Sequence, residues 1–130
     1  MIAVEAAWRQ RRLYPLTITQ LSIRIDLETG GQIGPGKIAL LEAISKTGSI
    51  AAAAQSMNMS RMTAWLLVEE INTLLSKPAV TTEWGGAGGG GSAILTPVGQ
   101  KLIQHYHSIE MRTRAAARRE FRALGRLLHG

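Results

Sequence analysis

Residues 48–75, which read GSIAAAAQSMNMSRMTAWLLVEEINTLL, predict two helices joined by a tight turn, and this pattern constrains the fold most strongly. Ser49 is placed to cap the first helix, whose run of alanines favours helix and keeps its side chains small. A tight turn follows at 58–59, and Ser60 caps a second helix that reaches roughly Leu75. Aliphatic side chains recur on one face of this second helix, so we expect the two helices to pack closely.

The residues before this helix pair predict a strand and a further helix. Residues 21–27 alternate aliphatic and polar side chains, as a half-buried strand does. The following GGQIGPG stretch is predicted to be a loop, and Pro35 suits the first turn of a helix. We expect that helix to end at Thr47, with Gly48 closing it in a left-handed conformation. Its buried stripe is predicted to contain Ile38, Leu40, Leu41 and Ile44.

The residues after the helix pair predict a β-hairpin with a glycine-rich tip. AVTTEW and SAILT have the composition of strands and GGAGGGG lies between them, so the hairpin is predicted at 79–95. Thr96 and Pro97 then start a last helix, which is predicted to continue to about Leu124 over roughly 40 Å. Because that length exceeds what so small a domain covers, a partner chain is expected along its mostly apolar seam. The seam consists of Leu102, Tyr106, Ile109, Thr113, Ala117, Phe121, Leu124 and Leu128.

The chain is long enough for a domain with its own hydrophobic core, and the predicted fold is mainly α with a small β-hairpin. Residues 1–20 are interpreted as an N-terminal helical arm, 21–96 as the central domain, and 97–130 as a C-terminal helix for dimerisation. Cysteine is absent, which excludes disulfides and zinc fingers. Charges interrupt the N-terminal residues and no run approaches the roughly 20 apolar residues that span a bilayer, so we expect a cytoplasmic protein.

The net charge of +6 favours a polyanionic partner such as nucleic acid. The excess charge lies on the flanks, because residues 1–20 carry +2 and residues 101–130 carry +5, whereas residues 21–100 carry −1. An interpretation of the central residues therefore has to come from their pattern.

The order of the predicted elements, namely strand, helix, helix pair, hairpin and long helix, is that of a winged helix-turn-helix domain. In such a domain the second helix of the pair enters the major groove of DNA, and its first turns meet the base edges. Arg61 can donate two hydrogen bonds to guanine, while Thr63 and Met62 offer a hydroxyl and an apolar surface. Ser60 can hold a phosphate, and Trp65 can serve either DNA contact or packing beneath the helix. A plain helical hairpin within a core is the alternative interpretation.

Residues 35–99, from PGKIALLEAISKTGSIAAAAQSMNMSRMTAW through GGAGGGG to LTPVG, resemble the DNA-binding domain of ModE-type molybdate-responsive transcription regulators. The LysR-type domain shares GSIAAAAQSMNMS and LTPVG less closely. The resemblance implies a dimeric winged helix-turn-helix that binds an inverted-repeat operator, with a recognition helix at 60–75 and a wing at 85–91. ModE regulators continue into molybdate-binding modules, whereas this sequence ends at Gly130. We therefore expect no molybdate sensing by these residues, and a separate protein is the candidate for any effector sensing.

The predicted partners are double-stranded DNA, within the nucleoid, and a second copy of the chain. No cofactor, metal or catalytic residue is predicted. The predicted DNA-binding residues are Ser60, Arg61, Met62, Thr63, Trp65, Gly86, Gly88 and Gly89. The predicted dimerisation residues are Leu102, Tyr106, Ile109 and Phe121.

Other features have competing interpretations. GGAGGGG could suggest a phosphate cradle, but no Gly-Lys-Ser or Gly-Lys-Thr follows it, and a wing tip that approaches a backbone explains the glycines better. His105 and His107 point to different faces of a helix, which favours solvated side chains over a shared metal. The arginines of the C-terminal helix suit either a solvated face or phosphate contacts. The alternative function is an architectural or interaction protein with little sequence specificity. The sequence shows no pairing of a nucleophile with a general base that would indicate an enzyme.

Overall fold

The computed structural model describes residues 20–83 and 91–128 of the chain. These stretches are mainly helical and contain two small antiparallel strand pairs. The strands are β1 (Ile25–Asp26), β2 (Gln32–Ile33), β3 (Val80–Glu83) and β4 (Ser92–Leu95). The helices are α1 (Pro35–Thr47), α2 (Ile50–Ser56), α3 (Arg61–Leu74), α4 (Pro97–Ala116) and α5 (Arg118–Leu127).

The described residues form two units. The first runs from Ser22 to Ser108 and contains both strand pairs, helices α1 to α3 and the beginning of α4. The second includes the remainder of α4 and all of α5. In neither described stretch does a helix combine the length and the apolar character that crossing a bilayer requires.

Helix α1 has the predicted bounds and the predicted buried stripe. Pro35 occupies its first turn, and Gly48 ends it at φ 77° with its N–H donating to the carbonyl of Ile44 at 2.8 Å. A side chain with a Cβ rarely adopts that φ, which explains the glycine. The stripe is fully buried, and each such aliphatic side chain stabilises the fold by about 1.5–3 kcal/mol. Its members are Ile38, Leu40, Leu41 and Ile44.

Helices α2 and α3 begin at the two predicted caps. The hydroxyl of Ser49 accepts a hydrogen bond from the N–H of Ala52, and the hydroxyl of Ser60 accepts one from the N–H of Thr63. The turn between the helices lies at 57–58, one residue earlier than predicted, because Asn58 takes the left-handed conformation at φ 55°. The buried Ala53 of α2 lies in the same apolar core as α3, so the alanine run serves close packing as expected.

The first strand pair corrects the sequence analysis. Residues 21–27 alternate half-buried and exposed side chains as predicted, but only Ile25 and Asp26 pair with another strand. Their partners are Ile33 and Gln32, which lie in the stretch predicted to be a loop. A tight turn brings them together, since the N–H of Leu27 donates to the carbonyl of Gly31 at 2.8 Å. The described residues therefore form two small hairpins, not one.

The second hairpin, β3–β4, is antiparallel with Val80 opposite Leu95 and Glu83 opposite Ser92. This agrees with the prediction for 79–95 as far as the described residues reach; of the predicted glycine tip at 85–91, residues 85–90 lie outside them. The hairpin is joined to the helix pair because the N–H of Ala93 donates to the carbonyl of Gly48 at 2.8 Å.

The prediction of one continuous C-terminal helix to about Leu124 is wrong. Helix α4 ends at Ala116, and α5 begins at Arg118. The interruption is one residue long: Ala117 has φ −97° and ψ 14°, outside the helical region, while its N–H still donates to the carbonyl of Thr113 at 3.0 Å and its carbonyl accepts the N–H of Phe121 at 2.9 Å. Sequence rules locate helix ends by glycine, proline and capping side chains, and none of these marks this position.

The seam predicted for dimerisation divides into buried and exposed parts. Tyr106 is only 2% exposed, packs with Ile33 and Ile38, and donates its hydroxyl to the carbonyl of Ile23 at 2.7 Å. Leu102 packs against the same residues. Tyr106 belongs to the core of its own chain, so its assignment to a partner contact is corrected. Leu102 is only half-buried, and its dimer contact stays a prediction.

The other two predicted dimerisation residues lie in the second unit. Ile109 is 43% exposed, and Phe121 is half-buried. For these two positions the dimer contact stays a prediction.

Gly99 allows the start of α4 to approach the second hairpin. A Cβ at this position would lie 2.5 Å from the carbonyl oxygen of Ala79 and 2.6 Å from Cδ1 of Leu95. Gly99→Ala should therefore lower the free energy of unfolding by about 1–2 kcal/mol, because backbone has to move. Urea unfolding measures the change, and Gly36→Ala is the matched control, since a Cβ at Gly36 meets nothing within 4 Å. Equal stability of the two variants would contradict the close approach.

Candidate nucleic-acid interface

The beginning of α3 presents the predicted DNA-contacting side chains on one exposed surface. Ser60, Arg61 and Thr63 are exposed, and Met62 and Trp65 are 65% and 47% exposed. The opposite face of the helix is anchored in the core by three buried residues, Ala64, Val68 and Ile71. The structure therefore brings together all five of the predicted α3 residues.

The cap of α3 leaves hydrogen-bonding groups at its front. The hydroxyl of Ser60 accepts the N–H of Thr63 at 3.0 Å and donates to the hydroxyl oxygen of Thr63 at 2.8 Å. Ser60 is thus engaged by the helix, and the Thr63 hydroxyl can direct its own proton to an external acceptor. The backbone N–H groups of Arg61 and Met62 belong to the first turn, which has no intrahelical acceptor for them. This end of the helix favours an anion such as phosphate.

A cleft of about 280 Å³ separates the front of α3 from the second hairpin. Arg61 and Trp65, one helical turn apart, form its α3 side. Its other walls are formed by Ser49, Ile50, Ala51, Thr82, Glu83, Gly91, Ser92 and Ala93. Trp65 therefore stands on the outer face of the helix, and the interpretation that it packs beneath the helix is wrong.

The charges of the first unit balance, so its surface holds no general excess of positive charge. Residues 22–108 contain six Lys or Arg residues and six Asp or Glu residues. Arg61 makes no ion pair within residues 20–83 and 91–128, and its guanidinium is available to an external acceptor. Positive charge at this surface is local and placed at the front of α3.

Asn72 connects α3 to the second hairpin, and the sequence analysis did not identify this role. Its side-chain oxygen accepts the N–H groups of Ala79 and Val80 at 2.8 and 3.2 Å, and its amide donates to the carbonyl of Val80 at 3.0 Å. Asn72 thereby holds the start of the hairpin to α3, in addition to the backbone bond from Ala93 to Gly48. No sequence signal identifies Asn72, because an asparagine inside a helix has no fixed partner until the fold is known.

Lys37 is a second supporting residue that the sequence does not reveal. It is 5% exposed, and its ammonium donates to the carbonyl of Gln32 at 2.6 Å. The same nitrogen lies 3.5 Å from a carboxylate oxygen of Glu70 on α3. A buried lysine needs such partners to compensate for lost hydration, so it ties α3 to the first strand pair through α1.

The remaining predicted site residues do not join this surface. Gly86, Gly88 and Gly89 lie outside the described residues. Nε2 of His107 lies 3.2 Å from a carboxylate oxygen of Glu42, while His105 is exposed. In the described part of the chain no cluster of three or more His, Cys, Asp or Glu side chains is arranged to hold a metal ion.

Comparison with known proteins gives relatives among ModE regulators and molybdenum-pterin-binding proteins, and no family model matches the chain. It is 50% identical over 82 residues to the molybdenum-pterin-binding protein MopB of Rhodobacter capsulatus, covering 63% of this chain and 30% of that protein. It is 34% identical over 103 residues to the molybdenum transport protein ModE of Azotobacter vinelandii, covering 78% of this chain and 38% of that protein. It is 43% identical over 72 residues to the DNA-binding transcriptional dual regulator ModE of Escherichia coli K12, covering 55% of this chain and 27% of that protein. The chain thus spans about a third of the length of the curated relatives it matches.

Proposed function

We propose that this chain is a sequence-specific DNA-binding transcription regulator with a winged helix-turn-helix domain. In this proposal α2 and α3 are the helix-turn-helix, α3 is the recognition helix, and the β3–β4 hairpin is the wing. The observation that carries the proposal is the exposed front of α3, where Arg61, Thr63 and Trp65 project from a helix whose other face is fixed in the core.

The dimensions and chemistry of α3 suit the major groove. An α-helix with its side chains is about 10–12 Å across, and the groove is about 12 Å wide. Arg61 is placed to donate a bidentate pair of hydrogen bonds to the O6 and N7 atoms of guanine. Met62 and the Thr63 methyl group supply apolar surface for a thymine methyl group, and the N-terminal N–H groups of α3 supply phosphate contacts.

The names of the relatives support a regulatory function. One relative is named a DNA-binding transcriptional dual regulator, and others are named transcriptional regulators. We propose that the matched third of these proteins is their DNA-binding part, because the helix pair and the hairpin occupy much of a chain that is matched over 72 to 103 residues. Other relatives are named for molybdenum, but the proposal gives the residues of this chain no role in binding it. It gives them no catalytic role either.

We propose that the regulator acts as a cytoplasmic homodimer. Apolar side chains are exposed on the helices of the second unit, and a second copy would cover them. The exposed residues of this group are Ile109, Met111, Leu124, Leu127 and Leu128. A two-fold dimer would place two copies of α3 in major grooves about 34 Å apart, one turn of DNA.

The test is selection of duplexes from a random library by the purified chain at physiological salt, followed by footprinting of the enriched sequence. We expect an inverted repeat with half-sites one helical turn apart. Uniform affinity for all sequences, together with a steep dependence on salt, would instead indicate an architectural protein.

A further inference from the structure

The second unit carries the positive charge that the first unit lacks. Residues 109–128 contain six arginines and two glutamates, a net charge of +4, whereas residues 22–108 are balanced. All six arginines are exposed. A protein gains salt-dependent affinity for DNA by neutralising phosphates, and the first unit has little net charge with which to do so.

Four of these arginines form a stripe along α5, which we call the arginine stripe: Arg118, Arg119, Arg122 and Arg126. At 100° per residue they fall within an arc of about 100°, and Arg118, Arg122 and Arg126 follow one another at steps of about 6 Å. The phosphates of one DNA strand rise by about 3.4 Å each and wind around the axis, so neighbouring phosphates lie roughly 6–7 Å apart in space. The guanidinium groups therefore repeat at nearly the spacing of phosphates.

The arginine stripe is not neutralised by neighbouring carboxylates. Within residues 20–83 and 91–128, none of the four guanidinium groups has a carboxylate within 4 Å. The other side of α5 is partly covered, since Gly125 is buried and Phe121 is half-buried. Leu124 and Leu127 of α5 are exposed, and the second copy proposed above would cover them. A helix that lies in a membrane surface needs its apolar side open to acyl chains, so a dimer that covers these side chains favours a rigid polyanion over a lipid surface.

We propose that the arginine stripe binds the phosphate backbone of double-stranded DNA without reading its sequence and supplies the salt-dependent part of the affinity. This inference rests on the proposed DNA-binding function. Base edges are read by the front of α3, and charge neutralisation comes from α5. Arginine suits this role because its planar guanidinium binds phosphate with two parallel hydrogen bonds.

The test compares the full chain with the double variant Arg118→Gln and Arg122→Gln. The matched control is Arg24→Gln with Lys101→Gln, which removes the same charge from two exposed side chains that do not line the cleft. Equilibrium affinity is measured from 50 to 300 mM salt on the selected duplex and on a scrambled duplex. For the stripe variant we expect the slope of log affinity against log salt to fall by about 2, because each phosphate that is no longer neutralised lowers the slope by about 0.9. Affinity for both duplexes should fall by a similar factor, and the control should keep the full slope.

The outcomes separate this inference from the proposed function. Failure of the unmodified chain to bind any duplex would remove the proposed function and this inference with it. Normal binding by the unmodified chain, with an unchanged slope in the stripe variant or an equal loss in the control, would overturn only the inference. Vesicles containing phosphatidylserine provide the other arm: stripe-dependent binding to vesicles with an unchanged DNA slope would also overturn it. Because the four side chains are exposed, the variant should unfold at the same urea concentration as the unmodified chain.

Discussion

Replacing Arg61 with alanine should lower the affinity for the selected duplex about tenfold to a hundredfold while leaving the affinity for a scrambled duplex nearly unchanged. A bidentate arginine–guanine contact contributes about 1–3 kcal/mol of discrimination between bases, and each 1.4 kcal/mol corresponds to a tenfold change. Arg61 is exposed on the wall of the cleft and has no ion pair among the described residues, so its loss leaves the fold intact. Fluorescence anisotropy on the two duplexes measures both affinities, and urea unfolding checks the stability.

Two further variants make the Arg61 experiment specific. Arg61→Lys keeps the charge but not the planar fork, so it should recover little of the discrimination and should leave the affinity for the scrambled duplex unchanged. Arg24→Ala removes an exposed arginine that pairs with Asp26 at 3.0 Å and lies outside the cleft, and it should change neither affinity. Unchanged discrimination in Arg61→Ala would exclude Arg61 from base recognition and would leave Thr63 and Trp65 as the candidates.

Local signals in the sequence were sufficient to predict the helices that form the candidate interface. The caps at Ser49 and Ser60, and the left-handed Gly48, depend on residues no more than four positions apart. Interactions of that range are encoded by residue type and spacing alone. The same periodicity separates the buried face of α3, with Val68, from the exposed front, with Arg61.

Features that depend on remote partners could not be predicted in this way. The short strand β2 exists because Gln32 and Ile33 pair with β1, although their flanking glycines are typical of a loop. Lys37 is buried because Gln32 and Glu70 supply its partners. The end of α4 at Ala116 lacks any local signal.

Tyr106 shows how one pattern can fit two structures. An apolar seam along a helix is expected equally for a core and for a dimer contact, because both bury the same face. Its hydrogen bond to Ile23, 83 positions away, shows that the residue packs inside its own chain. Ile109 and Met111 follow that core along α4 and are exposed. A contact with a partner chain is therefore expected in the second unit, to which both residues belong.

Asn72→Ala should lower the free energy of unfolding by about 2–3 kcal/mol, because it removes three hydrogen bonds at once. The N–H groups of Ala79 and Val80 and the carbonyl of Val80 would lose their partner in a half-buried position. A buried polar group left without a partner costs about 1–3 kcal/mol, and partial access of water reduces the sum for the three groups. Urea unfolding measures the loss directly.

The effect on DNA binding distinguishes a positioning role of Asn72 from general stabilisation. Asn72 holds the second hairpin to α3, so Asn72→Ala should lower the affinity for the selected duplex several-fold under conditions in which the variant is fully folded. Asn72→Asp keeps the acceptor for both N–H groups but loses the donor to Val80, and its stability should be intermediate. Thr73→Ala is the neighbouring control: Thr73 is exposed and bonds only to the carbonyl of Glu69 in its own helix, so both readouts should stay near those of the unmodified chain. Equal effects at positions 72 and 73 would mean that the spacing of helix and hairpin is set by the apolar core alone, with Ala79 and Val80 buried against α3.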